Sequence, residues 1–245
     1  MGKVINLVDF LYGIKDNVRS DENLEFIGHC ITHLSYVKSQ NFQDVWAAYE
    51  NRFQKGGENF FVEFGATNGI DGSNTHLLEN KYYWRGLLAE PNPLWHKALV
   101  ANRNCSVDTD CVYTETGKTL EFLAADEPDL STIKGFGEND EHSDKRKNSN
   151  VIEVTTVSLF DMFERHNVPN IIGYMSVDTE GSEYDILKAF FDNKNSDKYK
   201  IRCITVEHNF KHDAREKVYG LLSSQGYKRK FEAFSRWDDF YTKEI

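Results

Sequence analysis

An apolar run that leads directly into a glycine-rich turn limits this chain to a small number of folds. Residues 60–64 read FFVEF, and Gly65, Gly69 and Gly72 follow. Glycine lets the backbone turn sharply and lets a ligand approach without a Cβ in the way. After the glycines, Ser73 is placed to accept a hydrogen bond from the first turn of a helix. This order of strand, loop and helix predicts an α/β fold with a ligand at the turn.

The spacing of the glycines favours a nucleoside over a dinucleotide as the ligand. Dinucleotide folds carry G-x-G-x-x-G, whereas Gly65, Gly69 and Gly72 form G-x-x-x-G-x-x-G. The next predicted strand, residues 84–89, leads into Glu90, and related nucleotide folds place an acid on the ribose hydroxyls about 20 residues past the first strand's turn. An ionised carboxylate can accept both hydroxyl protons, so we expect Glu90 to bind a ribose.

Acidic and histidine side chains follow two further predicted strands. Asp178 and Glu180 come after the apolar run of residues 171–177, and His208 follows the run of residues 201–206. In an open parallel sheet, ligands bind beyond the carboxyl ends of the strands. We therefore expect these side chains to lie at the ligand site.

Four short segments in combination resemble the FkbM family of S-adenosylmethionine-dependent methyltransferases. The segments are VEFGATNG (62–69), SNT (73–75), LAEPNP (88–93) and SVDTEGSE (176–183). The resemblance covers roughly residues 58–245. It implies a Rossmann-like class I methyltransferase fold, which is an α/β fold with a mostly parallel seven-stranded sheet and helices on both faces. It also implies O-methyl transfer from S-adenosylmethionine to a hydroxyl of a sugar, glycan or glycosylated small molecule.

The resemblance further implies which residues contact the cofactor. Glu63, Gly65 and Glu90 are carried over from the family's pattern, with Glu63 near the charged methionyl part. A third predicted strand, residues 106–112, brings Asp108 or Asp110 to the adenine amino group, depending on its register. The other expected contacts are Ala66, Asn68, Gly69, Asn74, Asp110 and Asp178.

Methyl transfer to a hydroxyl needs a group that takes the acceptor's proton. His208 is a natural general base because imidazole titrates near neutral pH, and Asp178 is the competing base, with Glu180 beside it. A divalent cation held by these acids, Glu207 and Glu63 is a less favoured hypothesis, and we assign no metal ligand from the sequence. The predicted catalytic residues are His208, Asp178 and Glu180.

A non-catalytic nucleoside-binding module, or a nucleotide-sugar-binding enzyme of similar fold, is the rival hypothesis. A diphosphate would be repelled by Glu63, which favours the methyltransferase interpretation. A non-catalytic module predicts cofactor binding without methyl transfer. A nucleotide-sugar-binding enzyme predicts no binding of S-adenosylmethionine.

Composition and charge narrow the class of partner. A chain of 245 residues with 40% hydrophobic content suits one α/β domain, and a net charge of -10 argues against nucleic acid as substrate. The sequence shows no apolar run of the ~18 residues that a membrane-spanning helix needs. Polar residues also interrupt the N-terminal run too early for a signal peptide. We therefore expect a cytoplasmic enzyme that acts on a small-molecule or glycan acceptor, and the oligomeric state stays open.

Periodicity divides the chain into two predicted parts. Residues 1–57 show helical spacing and predict an N-terminal helical extension before the methyltransferase domain of residues 58–245. The polar residues 124–150 predict a long loop, which is either a lid over the acceptor site or a solvated insertion.

Two local patterns refine the C-terminal half. Ser182 with Asp185 predicts a capping box for the helix after the second acidic segment. Residues 226–231 and 237–243 predict an antiparallel hairpin that completes the sheet. Within it, Trp237 either stacks on a sugar ring or packs the sheet edge.

Overall fold

The computed structural model describes residues 20–53, 59–125, 130–136, 149–232 and 234–245. The first 19 residues of the predicted helical extension and much of the predicted loop of residues 124–150 lie outside these ranges. The helices in the described ranges are α1 (Asp21–His33), α2 (Gln43–Asn51), α3 (His76–Tyr82), α4 (Pro93–Asn102), α5 (Leu159–Arg165), α6 (Glu183–Asp192) and α7 (His212–Ser224). None of these helices is both long and apolar enough to cross a membrane.

The strands in the same ranges form a large and a small sheet. They are β1 (Phe60–Phe64), β2 (Arg85–Ala89), β3 (Ser106–Asp108), β4 (Cys111–Tyr113), β5 (Thr119–Ala124), β6 (Thr132–Ile133), β7 (Asn150–Ser158), β8 (Ile171–Val177), β9 (Lys200–Glu207), β10 (Lys228–Lys230) and β11 (Asp238–Thr242).

The large sheet has seven strands in the order β10-β11-β9-β8-β1-β2-β3. Its pairs are parallel except those that β11 makes with β9 and β10. The predicted mostly parallel seven-stranded sheet and its closing hairpin are therefore confirmed. From β1 the chain moves outward through β2 and β3, then returns to β8 on the other side of β1. This reversal creates a crevice at the carboxyl ends of β1 and β8, where such sheets bind ligands.

Helices cover both faces of the large sheet, as predicted. On one face, α5, α6 and α7 pack against the sheet around Val62, Ile172 and Ile204. On the other face, α1 to α4 pack around Phe61 and Tyr174. Strand β1 is buried along its whole length, which explains its nearly uninterrupted apolar sequence.

The two helices before β1 belong to the core of the second face. The Trp46 ring of α2 lies nearly perpendicular to Tyr174 and Phe240, at centroid distances of 6.3 and 5.1 Å. Burial of such rings on a sheet stabilises the fold by roughly 1.5–3 kcal/mol each. Helices α1 and α2 therefore pack as part of the sheet's cover. The division of the chain at residue 57 stays a prediction.

The small sheet, with strand order β4-β7-β5-β6, is absent from the sequence-based prediction. The expected single strand over residues 106–112 is wrong, because the chain leaves the large sheet after Asp108 and pairs β4 with β7. The Asp108 carboxylate accepts the backbone N–H of Asp110 at 2.9 Å, and this local turn interrupts the strand. Part of the predicted loop of residues 124–150 is also strand, namely β6.

The predicted capping box at the start of α6 is wrong as well. Ser182 is the residue before the helix, but its hydroxyl donates to the Thr179 hydroxyl at 2.9 Å instead of accepting a helix N–H. The Glu183 carboxylate instead forms the hydrogen bonds at this helix start, where it accepts the backbone N–H groups of Thr179 and Gly181. These bonds fix the loop that carries Asp178 and Glu180.

Candidate active site

A cavity of about 600 Å³ opens at the carboxyl ends of the central strands. This volume lies within the range of small-molecule sites in proteins. Loops after β1, β2, β8 and β9 form its floor, and residues of the small sheet form one wall. Predicted site residues that line it are Glu63, Gly65, Asn74, Glu90, Asp178 and Glu180. Predicted site residues that are not among its described lining residues are Ala66, Asn68, Gly69, Asp110 and His208.

The glycine turn brings two loops of the cavity together. Gly65 has a φ of +69°, and a Cβ there would lie 2.4 Å from the carbonyl oxygen of Asp178. Gly69 has a φ of +79°, and a Cβ there would lie 2.7 Å from Arg103 Cγ. Larger residues would therefore push the loop after β1 away from its neighbours.

Glu90 directly follows β2 and contacts the glycine-rich turn after β1. Its Oε2 accepts the backbone N–H of Thr67 at 2.8 Å, and its Oε1 accepts that of Asn92 at 2.7 Å. Burial raises the pKa of Glu90 to about 7. Because each carboxylate oxygen has two lone pairs, Glu90 keeps acceptor capacity toward the cavity that it lines.

Glu63 holds the loop that precedes α3. Its carboxylate accepts the Ser73 hydroxyl at 3.1 Å, the Asn74 backbone N–H at 2.7 Å and the Thr75 hydroxyl. The Arg103 guanidinium lies 3.8 Å from it. Glu63 therefore stabilises the loop of residues 73–75 within the protein. Its contact with the cofactor stays a prediction.

Arg103 is the main site-forming residue that the sequence does not reveal. It follows α4 and is 4% exposed. Its guanidinium donates to the Gly69 carbonyl and the Ser73 hydroxyl, each at 3.1 Å, and to the Thr75 hydroxyl at 3.0 Å. It also pairs with Glu79. Arg103 thus ties the glycine turn to the loop before α3.

Replacing Arg103 with methionine is expected to destabilise the protein by about 3–5 kcal/mol, because it leaves the buried Glu63 carboxylate without its cation. The matched control is Lys118→Met, since Lys118 and Glu115 form a pair that is more than half exposed. That change should cost less than about 1 kcal/mol. Urea unfolding measures both. Equal losses in the two variants would show that Arg103 is not a structural clamp.

Three carboxylates gather on the other side of the cavity. One oxygen each of Asp178, Glu180 and Glu207 lies within 4.8 Å of the others. We call these three residues the acid cluster. The amide of Asn209 donates to Glu180 Oε2 at 3.1 Å. Burial, together with the neighbouring charges of Asp178 and Glu180, raises the pKa of Glu207 well above its ordinary value.

His208 faces away from these acids. Its Nδ1 accepts the backbone N–H of Phe210 at 3.2 Å, and its Nε2 lies 3.9 Å from Asp239 Oδ1. Its backbone N–H donates to the Trp237 carbonyl at 2.7 Å, which holds the backbone at His208 beside the start of β11. Burial lowers the pKa of His208 to about 4, which weakens it as a base. The catalytic role of His208 stays a prediction, and its position argues against it.

The two aspartates expected near adenine take part in ion pairs. Arg165 Nη1 lies 3.0 Å from Asp108 Oδ2 and 2.7 Å from Asp110 Oδ2. Cys111 and Val112, which follow them, line the cavity instead. The contact of Asp110 with adenine therefore stays a prediction. At this wall of the cavity, Cys111 and Val112 present apolar side chains to a ligand.

Asn68 and Asn74, the two asparagines predicted to contact the cofactor, have different hydrogen-bond partners. Asn68 Oδ1 accepts the backbone N–H groups of Ile70 and Asp71, so Asn68 shapes the glycine turn. Asn74 Nδ2 donates to the Ser176 hydroxyl at 2.9 Å. Asn74 Oδ1 is buried at the cavity without a hydrogen-bond partner among the described residues. A bound ligand can satisfy this acceptor.

Sequence reasoning also missed part of the opposite wall. Gln40 and Gln43, in the loop before α2 and at its start, line the cavity together with Phe122 and Ile133 of the small sheet. The Gln43 amide donates to Asp238 Oδ2 at 2.7 Å. No local motif marks these residues, because only the packing of the N-terminal helices and the small sheet brings them to the site.

Comparison with known proteins identifies the family. The sequence model described as "Methyltransferase FkbM domain" matches residues 63–240. The chain therefore belongs to the FkbM family of methyltransferases, and its strand order is that of the predicted Rossmann-like class I fold. No curated protein matches the sequence.

Two solved structures show a remote likeness in fold. "Human methyltransferase 10 domain containing protein" is 9% identical with a TM-score of 0.43, over 92% of this chain and 97% of that chain. The fibrillarin/Nop5p complex is 14% identical with a TM-score of 0.40, over 84% of this chain and 81% of the matched chain.

Proposed function

We propose that this protein is an S-adenosylmethionine-dependent O-methyltransferase that acts on a hydroxyl of a sugar, glycan or glycosylated small molecule. The main support is that one cavity is lined by Glu90, the carboxylate after β2, and by the acid cluster after β8 and β9. In this proposal, the carboxylate that binds the ribose and the carboxylate that takes the proton therefore line the same cavity.

The residues of the cavity fit S-adenosylmethionine. Glu90 retains lone pairs for two ribose hydroxyls, and Asn74 Oδ1 is a buried acceptor without a partner among the described residues. The described lining residues include six acids and a single basic residue, Lys211. This charge suits a ligand with an ammonium and a sulfonium group and opposes the diphosphate of a nucleotide sugar.

In this proposal each residue has a defined task. Glu90 holds the ribose, the backbone at Gly65 allows close approach, and Asn74 accepts a hydrogen bond from the amino group. When bound, S-adenosylmethionine supplies a methyl group on positively charged sulfur. Asp178 would take the proton of the acceptor hydroxyl that receives this methyl group. Positioning supplies much of the rate, since this donor is already activated.

The cavity mouth supports a sugar acceptor. Trp237 lines it beside Phe210, whose ring is 64% exposed and lies 6.3 Å from Trp237 at an interplanar angle of 73°. Aromatic faces pack well against the C–H surface of sugar rings and add directional contacts. Gln40 and Gln43 add polar side chains to the wall of the same cavity.

A transfer assay with methyl-labelled S-adenosylmethionine tests this function. The acceptor panel consists of glycosides with free hydroxyls and the same glycosides with all hydroxyls methylated. We expect label on the free glycosides alone, in a product that resists alkali, as a methyl ether does and a methyl ester does not. An alkali-labile labelled product, or label on the fully methylated glycosides, would overturn methylation of a hydroxyl.

The affinity for S-adenosylhomocysteine should rise with pH through Glu90. With a pKa of about 7, the carboxylate that accepts two hydroxyl protons is the ionised form, which exists above that pH. About one-tenth of Glu90 is ionised at pH 6 and about nine-tenths at pH 8. Calorimetry should therefore show affinity increasing about tenfold between these pH values. Glu90→Gln should bind more weakly and without this rise, whereas the same rise in Glu90→Gln would assign it to another group.

A further inference from the structure

The acid cluster is more than a source of one proton acceptor. It draws Asp178 and Glu180 from the loop after β8 and Glu207 from the end of β9, so two neighbouring strands deliver three carboxylates to one point. Like charges this close repel strongly when they are shielded from water. Such an arrangement is stable when a cation or protons share the carboxylate oxygens.

A second observation points to a bound ligand. Glu207 is 8% exposed, lines the cavity, and its Oε2 has no hydrogen-bond partner among the described residues. An orphaned buried carboxylate oxygen is costly, because its lost hydration is not replaced. The neighbouring amide of Asn209 is already directed to Glu180. Glu207 Oε2, on a residue of the acid cluster, is therefore open to a ligand.

We infer that Asp178, Glu180 and Glu207 form a binding site for a divalent cation. Magnesium, manganese and calcium prefer oxygen ligands of this kind, at about 2.1 Å for magnesium and about 2.4 Å for calcium. Two oxygens on opposite sides of such a cation lie about 4.2 to 4.8 Å apart. The cluster, with its oxygens within 4.8 Å, reaches this spacing with little side-chain movement.

Charge balance separates this site from that of the methyl donor. S-adenosylmethionine carries one net positive charge, which cannot neutralise three carboxylates, whereas a divalent cation together with the donor can. The site also lies on the β8 and β9 side of the cavity, while Glu90 follows β2 on the other side of β1. The cation would therefore lie at Asp178, the proposed proton acceptor, and a role for it in transfer rests on the proposed methyltransferase function.

Each cluster residue needs to give only one oxygen to the cation. Asp178 can thus bind the cation through one oxygen and take the acceptor proton on the other. The cation would also favour loss of that proton by stabilising negative charge on the acceptor oxygen. We expect transfer to require a divalent cation for this reason.

Calorimetric titration of the metal-free protein with Mn²⁺ and with Ca²⁺ tests the site directly. The wild type should bind one equivalent of at least one of them. Glu207→Gln keeps the side chain's size and should weaken binding at least about tenfold. Asp178→Asn is a second variant with the same expectation. Asp71→Asn, which removes a carboxylate of the same cavity outside the cluster, should bind as the wild type does. Thermal melting checks that each variant is folded.

The outcomes separate this inference from the proposed function. Absence of saturable binding of both cations, or equal binding by the wild type, Glu207→Gln and Asp178→Asn, would overturn the cation site. A parallel titration with S-adenosylhomocysteine in the presence of chelator reports on the cofactor site alone. If that titration shows binding and the cations do not bind, the inference fails and the proposed function stands. If the cations bind and S-adenosylhomocysteine does not, the cation site stands and the proposed function fails.

Discussion

Replacing Asp178 with asparagine is expected to lower kcat for methyl transfer by about 100-fold or more. Asp178 lines the cavity at the carboxyl end of β8, and its carbonyl oxygen meets the turn at Gly65. The change keeps the side chain's shape and removes its ability to take a proton. S-adenosylhomocysteine lacks the transferred methyl and the sulfonium charge, so its affinity should change much less than kcat.

His208→Gln is the informative companion to this variant. Its ring lies against Asp239 and the Phe210 backbone rather than among the lining residues, so its loss should reduce kcat far less than Asp178→Asn does. Both rates are measured with the acceptor found in the transfer assay, on variants whose melting temperatures are recorded. If His208→Gln loses transfer while Asp178→Asn retains it, the histidine is the base and the side chain must turn on acceptor binding.

Glu90→Ala is expected to weaken S-adenosylhomocysteine binding by about 100-fold or more. Two hydrogen bonds from ribose hydroxyls to a buried carboxylate contribute roughly 1.5–3 kcal/mol each. Their loss corresponds to at least about two powers of ten in Kd. The variant also frees the N–H groups of Thr67 and Asn92, which loosens the turn that borders the ribose.

The control for this variant is Asp71→Asn, which changes another carboxylate of the same cavity. It should leave the affinity for S-adenosylhomocysteine close to that of the wild type. Similar losses in both variants would mean that overall negative charge, and not a ribose contact, attracts the cofactor. Binding unaffected by Glu90→Ala would remove Glu90 from the cofactor site.

The large sheet could be predicted from the sequence because its signals are local. The apolar runs of β1, β8 and β9 are long enough to identify as buried strands, and each is followed by a turn or an acid. Chain order and the rules for parallel sheets then bring Glu90, Asp178 and Glu180 to one edge. These three residues line the cavity.

The rest of the site depends on tertiary packing. Arg103 has no motif of its own, and its importance follows only from its contacts with the glycine turn and Glu63. The His208 ring lies near Asp239, which is distant in the sequence and is brought there by the pairing of β9 with β11. A strand-end position alone therefore does not tell which way a side chain points.

The small sheet was missed although a signal was present. Residues 150–158 read NVIEVTTVS, rich in β-branched residues with polar ones between them, which is typical of a half-buried strand. Phe122 and Ile133 of the small sheet close the cavity, so this omission also hid one wall of the site.

Calorimetric titration of the wild-type protein with S-adenosylhomocysteine at pH 8 shows whether this cavity binds a methyl donor. We expect saturable binding of one equivalent, because Glu90 is then mostly ionised and the cavity's acceptors match the ligand's donors. No saturable heat under these conditions would contradict the assignment of this cavity to a methyl donor.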